Sequence, residues 1–238
     1  MNGVKRQILA IGGLPSEGDS RPLCEYLLRL AGKPCPAVGF ISTARGDAPA
    51  TLERFEEMFA PLDCRRSHLG FFDRTPDLHE YLAAQDVILV WGGNTKSMLG
   101  VWREWGMPEL LHQAWLRGTV LAGVSAGAIC WFEQGLTDSF AGRLRPLDCL
   151  GFLPGSCCPH YDDEIDRRPA YQELVRQNLL KPGIAIEDGS AVEFQDHAIC
   201  RVVAPAGKVG AWTVRSGSTA DGQGIVEEPL MAQRIELP

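Results

Sequence analysis

The chain has 238 residues, of which 45% are hydrophobic, and a formal net charge of −7. That length and apolar content suit one large α/β domain spanning residues 1–238, with no second domain required. The acidic balance gives no electrostatic help toward nucleic acid or an anionic membrane, so small molecules or peptides are the expected partners.

In chain order, "QILAIGG" (7–13) reads as a buried strand ending in a Gly-Gly turn. "SRPLCEYLLRLAG" (20–32) predicts a helix with Ser20 as N-cap and Gly32 past its end. "AVGFIST" (37–43) is a second buried strand. "APATLERFEEMFAPL" (48–62) predicts a helix with Leu52, Phe55, Met58 and Phe59 on one face. "RRSHLGFF" (65–72) predicts a short strand, "DLHEYLAAQ" (77–85) a helix, and "DVILVWGG" (86–93) the clearest strand of all. Two helices follow, the second carrying Leu110, Leu111, Ala114 and Trp115 at helical spacing. "GTVLAGVS" (118–125) is a strand and "AGAICWFEQG" (126–135) is expected to be a helix. Strands separated by helices imply right-handed crossovers and a doubly wound, mostly parallel sheet flanked by helices. From about Gly183 the segments turn strand-like with short connections. They predict a small C-terminal antiparallel extension or sheet edge after the doubly wound part, the extension placed from about residue 195.

The eight cysteines fall at irregular spacing without a C-x-x-C pair, which excludes zinc-ribbon and thioredoxin-like sites. Several lie in apolar runs, where a free thiol behaves as a small hydrophobe, so reduced cysteines and a cytoplasmic location are expected. The opening "MNGVKRQILAIGG" has a basic cluster but no signal-peptide-length apolar run. No apolar segment approaches the roughly 18 residues of a membrane span.

The chemistry concentrates at Gly123-Val124-Ser125-Ala126-Gly127, a G-x-S-x-G pattern at a strand-to-helix junction. Such a turn can hold a serine at its tip as a nucleophile, with the Ala126 N–H free for an oxyanion. The same residues also suit a plain packing turn. Gly92-Gly93-Asn94 ends the preceding strand at the same sheet edge, where ligands bind in open α/β sheets. Gly93 there supplies a second N–H donor, while Asn94 reads equally as a helix cap. A serine nucleophile needs a base. His68, His79, His112 and His197 fall in strand, helix or turn patterns, whereas His160 lies in the proline-bounded segment "LPGSCCPHYDDE", read as a loop. The acids Asp162, Asp163, Glu164 and Asp166 beside it suggest a metal cluster less well than they suggest partners of a helix N-terminus.

Gly92-Gly93-Asn94, Gly123–Ala128 and Pro159-His160, together with "GLTDS" and "GIAIEDGSAV", resemble the peptidase E family of serine peptidases, the group of aspartyl dipeptidase and cyanophycinase. The resemblance covers roughly Ile8 to Phe194. It implies a fold related to class I glutamine amidotransferases, Ser125 as nucleophile and His160 as general base, with no metal or organic cofactor. It leaves the third member open between Asp138 and the pair Glu187 and Asp188, with the pair slightly favoured. It also implies substrates with an aspartyl residue on the acyl side, for which Arg167 and Arg168 are the candidate carboxylate binders beside Gly92 and Asn94. The acidic "YDDEID" loop and the tail after Phe194 depart from the short dipeptidases.

The expected function is therefore hydrolysis of peptide or related amide bonds of small peptides through an acyl-enzyme. Two other readings compete. One is an α/β-hydrolase-type esterase using Asp138 and His160, against which stands the usual late position of that histidine. The other is a family-like binding protein without catalysis. A small peptide is the expected partner, nucleic acid and membrane are not, and pairing as a homodimer stays open.

Overall fold

A computed structural model of the chain describes residues 4–15, 20–219 and 222–237. Its first half alternates strands and helices: Gln7–Ile11 (β1), Arg21–Leu30 (α1), Ala37–Ile41 (β2), Pro49–Phe59 (α2), Arg65–Leu69 (β3), Leu78–Ala83 (α3), Val87–Val90 (β4), Thr95–Glu104 (α4), Met107–Leu116 (α5), Val120–Val124 (β5) and Ala126–Ile129 (α6). The second half is mostly strands: Phe132–Thr137 (β6), Arg145–Asp148 (β7), Leu153–Cys158 (β8), the helix Arg167–Arg176 (α7), Gly183–Ile186 (β9), Ala191–Gln195 (β10), Ala198–Pro205 (β11), Ala211–Thr219 (β12), Gly222–Pro229 (β13) and Gln233–Leu237 (β14).

Two sheets result. The larger runs β14-β11-β10-β1-β5-β4-β2-β3, and β1, β5, β4, β2 and β3 are mutually parallel. β1, β2, β4 and β5 are buried at every residue, which is why they read as unbroken apolar runs rather than alternations. The pleat divides them between two cores. Ile8 and Ala10 pack with α4, α5 and the second sheet, among Trp102, Trp115 and Trp131. Leu9 and Ile11 pack on the opposite face with Leu23 and Leu27 of α1 and Phe55 and Phe59 of α2. The smaller sheet runs β13-β12-β9-β8-β6-β7, with β6, β8 and β9 parallel, and α7 closes its outer face through Tyr171 and Val175.

Two expectations need correction, and a third is decided between its alternatives. The helix expected over 126–135 stops at Ile129, and β6 begins three residues later. Trp131 and Phe132 are both buried in the core between the sheets, and that packing overrides the local helical pattern. The segment read as a loop before His160 is β8. Its alternation is hidden by Pro154 and Gly155 but visible at its end, where Cys157 faces one core and Cys158 another. Of the two arrangements expected for the late strands, the structure has the sheet edge and not a separate extension. β10, β11 and β14 widen the larger sheet, with β14 parallel to β11, while β12 and β13 complete the smaller one.

Candidate active site

β5 delivers Ser125 to the carboxyl edge of the larger sheet, and α6 starts at the next residue. The turn is tight because three backbones meet there. A Cβ on Gly123 would stand 2.1 Å from the Gly127 carbonyl oxygen, and one on Gly127 would stand 2.2 Å from that of Val90. No side chain fits either position, which gives the G-x-S-x-G pattern a steric cause. The serine between them is left at φ 56°, ψ −111°, a conformation that costs a non-glycine residue on the order of 1–3 kcal/mol.

The smaller sheet supplies the partners. β8 ends at Cys158, and His160 follows in a positive-φ conformation at 54°. β9 ends at Ile186, and the connection from there back to β10 in the larger sheet carries Asp188. The structure brings these residues into line. His160 Nε2 lies 2.8 Å from Ser125 Oγ, and His160 Nδ1 lies 2.7 Å from Asp188 Oδ1. A carboxylate can only accept, so Nδ1 carries the ring proton and Nε2 is left to accept from the serine hydroxyl. The imidazole is 19% exposed and the carboxylate 9%, so the array opens to solvent mainly on the histidine side. Gly13, at the end of β1, makes room for it. A Cβ there would stand 2.1 Å from Asp188 Oδ1 and 2.6 Å from His160 Cε1.

A cleft of about 470 Å³ opens over Ser125 and His160, lined also by Ala44, Arg45, Gly93, Asn94, Asp138, Ser139, Glu164 and Arg167. That is within the range of small-ligand sites. Against a family model, residues 8–202 match Peptidase family S51. The chain belongs to peptidase family S51. It is 44% identical over 212 residues to an uncharacterized peptidase, YgaJ, of Bacillus subtilis strain 168, covering 88% of this chain and 92% of that one. It is 28% identical over 135 residues to Peptidase E of Shewanella sp. strain W3-18-1, covering 52% and 56% respectively. The crystal structure of a peptidase from an acI-B1 Actinobacterium superposes with a TM-score of 0.71 at 18% identity, over 97% of this chain and 96% of that one. The resemblance to peptidase E drawn from the motifs agrees with these findings.

Not every residue expected at the site of this family S51 peptidase reaches it. Asp138 is 64% exposed and lies 3.8 Å from Arg167 Nη2, without contact to His160. It follows directly on β6 and lines the cleft without joining the Ser125–His160–Asp188 line. Glu187 turns the other way from its neighbour Asp188, because adjacent residues of an extended segment point to opposite sides. It accepts from the Gly210 N–H at 2.9 Å and from Trp212 Nε1 at 2.8 Å. Arg168 does not line the cleft. It donates to Glu227 at 2.5 Å, and its guanidinium lies over the Tyr161 and Trp212 rings. Arg167 does face the cleft and is buried, donating from Nε to Glu164 at 2.6 Å and from Nη1 to the Leu136 carbonyl at 3.3 Å. Gly92 backs onto the nucleophile turn, 3.0 Å from the serine Cβ at its own Cβ position. Asn94 does two things at once, lining the cleft and capping α4 through Oδ1, which accepts the Ser97 N–H at 2.8 Å.

Sequence reasoning missed Arg45, Ser139 and Glu164 as cleft residues, and Asp162 and Lys208 behind the acid. The segment "GLTDS" pointed toward Ser139, and the run of acids after His160 toward Asp162 and Glu164. Those acids diverge, since Asp162 binds the Asp188 N–H and Glu164 binds Arg167. Among the described residues no group of three or more His, Cys, Asp or Glu side chains could hold a metal ion, and no helix is long and apolar enough to cross a membrane. Burial pushes the Cys130 and Cys157 thiols well above their ordinary range, so neither is a thiolate at neutral pH.

Proposed function

We propose that this family S51 peptidase cleaves small peptides through an acyl-enzyme on Ser125. The observation that carries the reading is the continuous hydrogen-bonded line from Ser125 Oγ through the His160 ring to Asp188. In the proposed cycle Ser125 Oγ attacks the substrate carbonyl while His160 Nε2 takes its proton. Asp188 keeps the Nδ1–H tautomer and stabilises the imidazolium that forms. The N–H groups of Gly93 and Ala126 receive the oxyanion. Ala126 is the first residue of its helix, so its N–H has no acceptor within that helix. The imidazolium then protonates the leaving amine, and a water activated by the same histidine releases the acid.

On the acyl side the cleft offers Arg167 and Arg45, with Glu164 already occupying Arg167 Nε. Arg167 Nη2, whose nearest carboxylate is Asp138 at 3.8 Å, and the Arg45 guanidinium are the cations left for a substrate carboxylate, which supports an acidic, aspartyl preference. Asp138 and Glu164 on the same wall suit the free amino group of a short, unblocked peptide. The reduced cysteines favour a cytoplasmic site of action. A panel of aminoacyl p-nitroanilides tests the reading. The aspartyl compound is expected to be turned over fastest, and Ser125→Ala is expected to abolish turnover. Equal rates across acidic, neutral and basic acyl groups would remove the preference, and an active Ser125→Ala would remove the mechanism.

A further inference from the structure

Behind Asp188 lies a pair of charges that the proton relay does not use. Asp162 stands two residues after His160, and its Oδ1 accepts the backbone N–H of Asp188 at 2.8 Å. Lys208 Nζ donates to Asp162 Oδ2 at 2.7 Å and to the backbone carbonyl oxygen of Asp188 at 3.0 Å. Asp188 is therefore held at both ends of its own peptide frame by two side chains that hold each other. Lys208 comes from the chain beyond residue 202, outside the stretch that matches the family model.

We propose that Asp162 and Lys208 are a positioning pair that fixes the Asp188 carboxylate against His160 Nδ1, an inference that rests on the Ser125–His160–Asp188 reading above. The segment 187–190 passes between two sheets, and the two residues after Asp188 are tied through backbone: the Gly189 N–H donates to the Gly13 carbonyl at 2.9 Å and the Ser190 N–H to that of Glu187 at 3.2 Å. At Asp188 the grip is ionic. The segment carrying the base thereby also grips the acid, so His160 and Asp188 are tied once through their side chains and once through Asp162.

Both partners stay charged at neutral pH. Burial pushes the Asp162 carboxyl up, but the bond from Lys208 and the Asp188 N–H outweigh it and leave it below the usual carboxylate range. Burial pushes the Lys208 ammonium down, but the bond to Asp162 outweighs that and leaves it raised. Lys208 is 40% and Asp162 33% exposed, a degree at which an ion pair adds little to global stability. What the pair supplies is the direction of Asp188.

The test uses the full chain and whichever aminoacyl p-nitroanilide the wild type turns over fastest. Lys208→Met and Asp162→Asn are each expected to lower kcat by about 10- to 100-fold with KM changed less than about two-fold, the scale of a misplaced catalytic group. Lys208→Arg is expected to restore most of the loss. In an Asp188→Asn background Lys208→Met is expected to cost nothing further, because it acts through Asp188. A readout independent of substrate is the low-field proton resonance of His160 Nδ1–H. It is expected to shift or broaden in Lys208→Met and to return in Lys208→Arg. Wild-type kcat and an unmoved resonance in both single variants would overturn the proposal, as would a Lys208→Met loss that simply multiplies that of Asp188→Asn. An Asp188→Asn variant with full activity would instead overturn the triad reading, and this inference with it.

Discussion

Ser125 and Asp188 sit at the two ends of one hydrogen-bonded line, yet the molecule holds them by different means. Ser125 belongs to the parallel sheet, where Gly123 and Gly127 let β4, β5 and α6 close to backbone contact and no charged group takes part. Asp188 belongs to the seam between the sheets, where β9 crosses back to β10 and an ion pair holds the turn. A serine on a strained turn tolerates no change of volume beneath it. An acid on a charged clamp tolerates changes of shape but not of charge.

The largest expected effect tests the acid end. Asp188→Asn keeps the volume and reverses the donor and acceptor pattern facing His160 Nδ1, so kcat is expected to fall by about 10⁴-fold. Asp138→Asn and Glu187→Gln are expected to leave kcat within a few-fold, Asp138→Asn acting on KM instead, because neither side chain touches the ring. A loss in Asp138→Asn as large as that in Asp188→Asn would erase the distinction between seam and rim.

At the other end, Gly127→Ala is expected to destabilise the fold by about 3 kcal/mol or more, since the added methyl meets the Val90 carbonyl and both sides are backbone. Gly100→Ala, in α4 with open space around it, serves as the control and is expected to gain about 0.5–1 kcal/mol. Urea unfolding of the two variants makes the comparison. Ser125→Gly separates strain from chemistry. It is expected to abolish turnover and yet raise stability by about 1 kcal/mol, because glycine accepts a conformation that serine does not. A lower midpoint of unfolding would mean that the turn is not under strain.

The smallest effect is electrostatic. The folded Asp162 carboxyl lies below its ordinary range, so its contribution to stability is complete above that range and is lost as pH falls through the lowered value. Glu227 behaves in the same way: burial pushes it up, but the bonds from Arg168 and Tyr161 bring it below its usual range. Melting temperature is expected to decline on acidification below about pH 4, and the decline is expected to be shallower in Lys208→Met, where Asp162 has lost its partner. Identical pH profiles for the two proteins would show that the pair carries no linked protons.

The contrast between the two regions also governs what was legible in the sequence. The parallel half was readable because its causes are local: unbroken apolar runs in β1, β2, β4 and β5, helical spacing in α2 and α5, and glycines at a turn that excludes side chains. The seam was not readable, because its causes are contacts between distant residues. Glu187 and Asp188 are neighbours of equal chemistry, and only the direction of the backbone after β9 decides which one meets His160. Arg167 and Arg168 pose the same problem at the start of α7, where one faces the cleft and the other stacks on Trp212. β8 was hidden by Pro154 and Gly155, and Lys208 lies 46 residues from its partner Asp162, with no pattern linking them.

The central claim is that Ser125 carries the acyl group. Rapid-quench mass spectrometry during turnover of the best aminoacyl p-nitroanilide tests it most directly. An added acyl mass is expected, confined to the proteolytic fragment that contains Ser125 and absent from Ser125→Ala, which releases no p-nitroaniline. Turnover by Ser125→Ala, or an acyl mass on any other fragment, would contradict it.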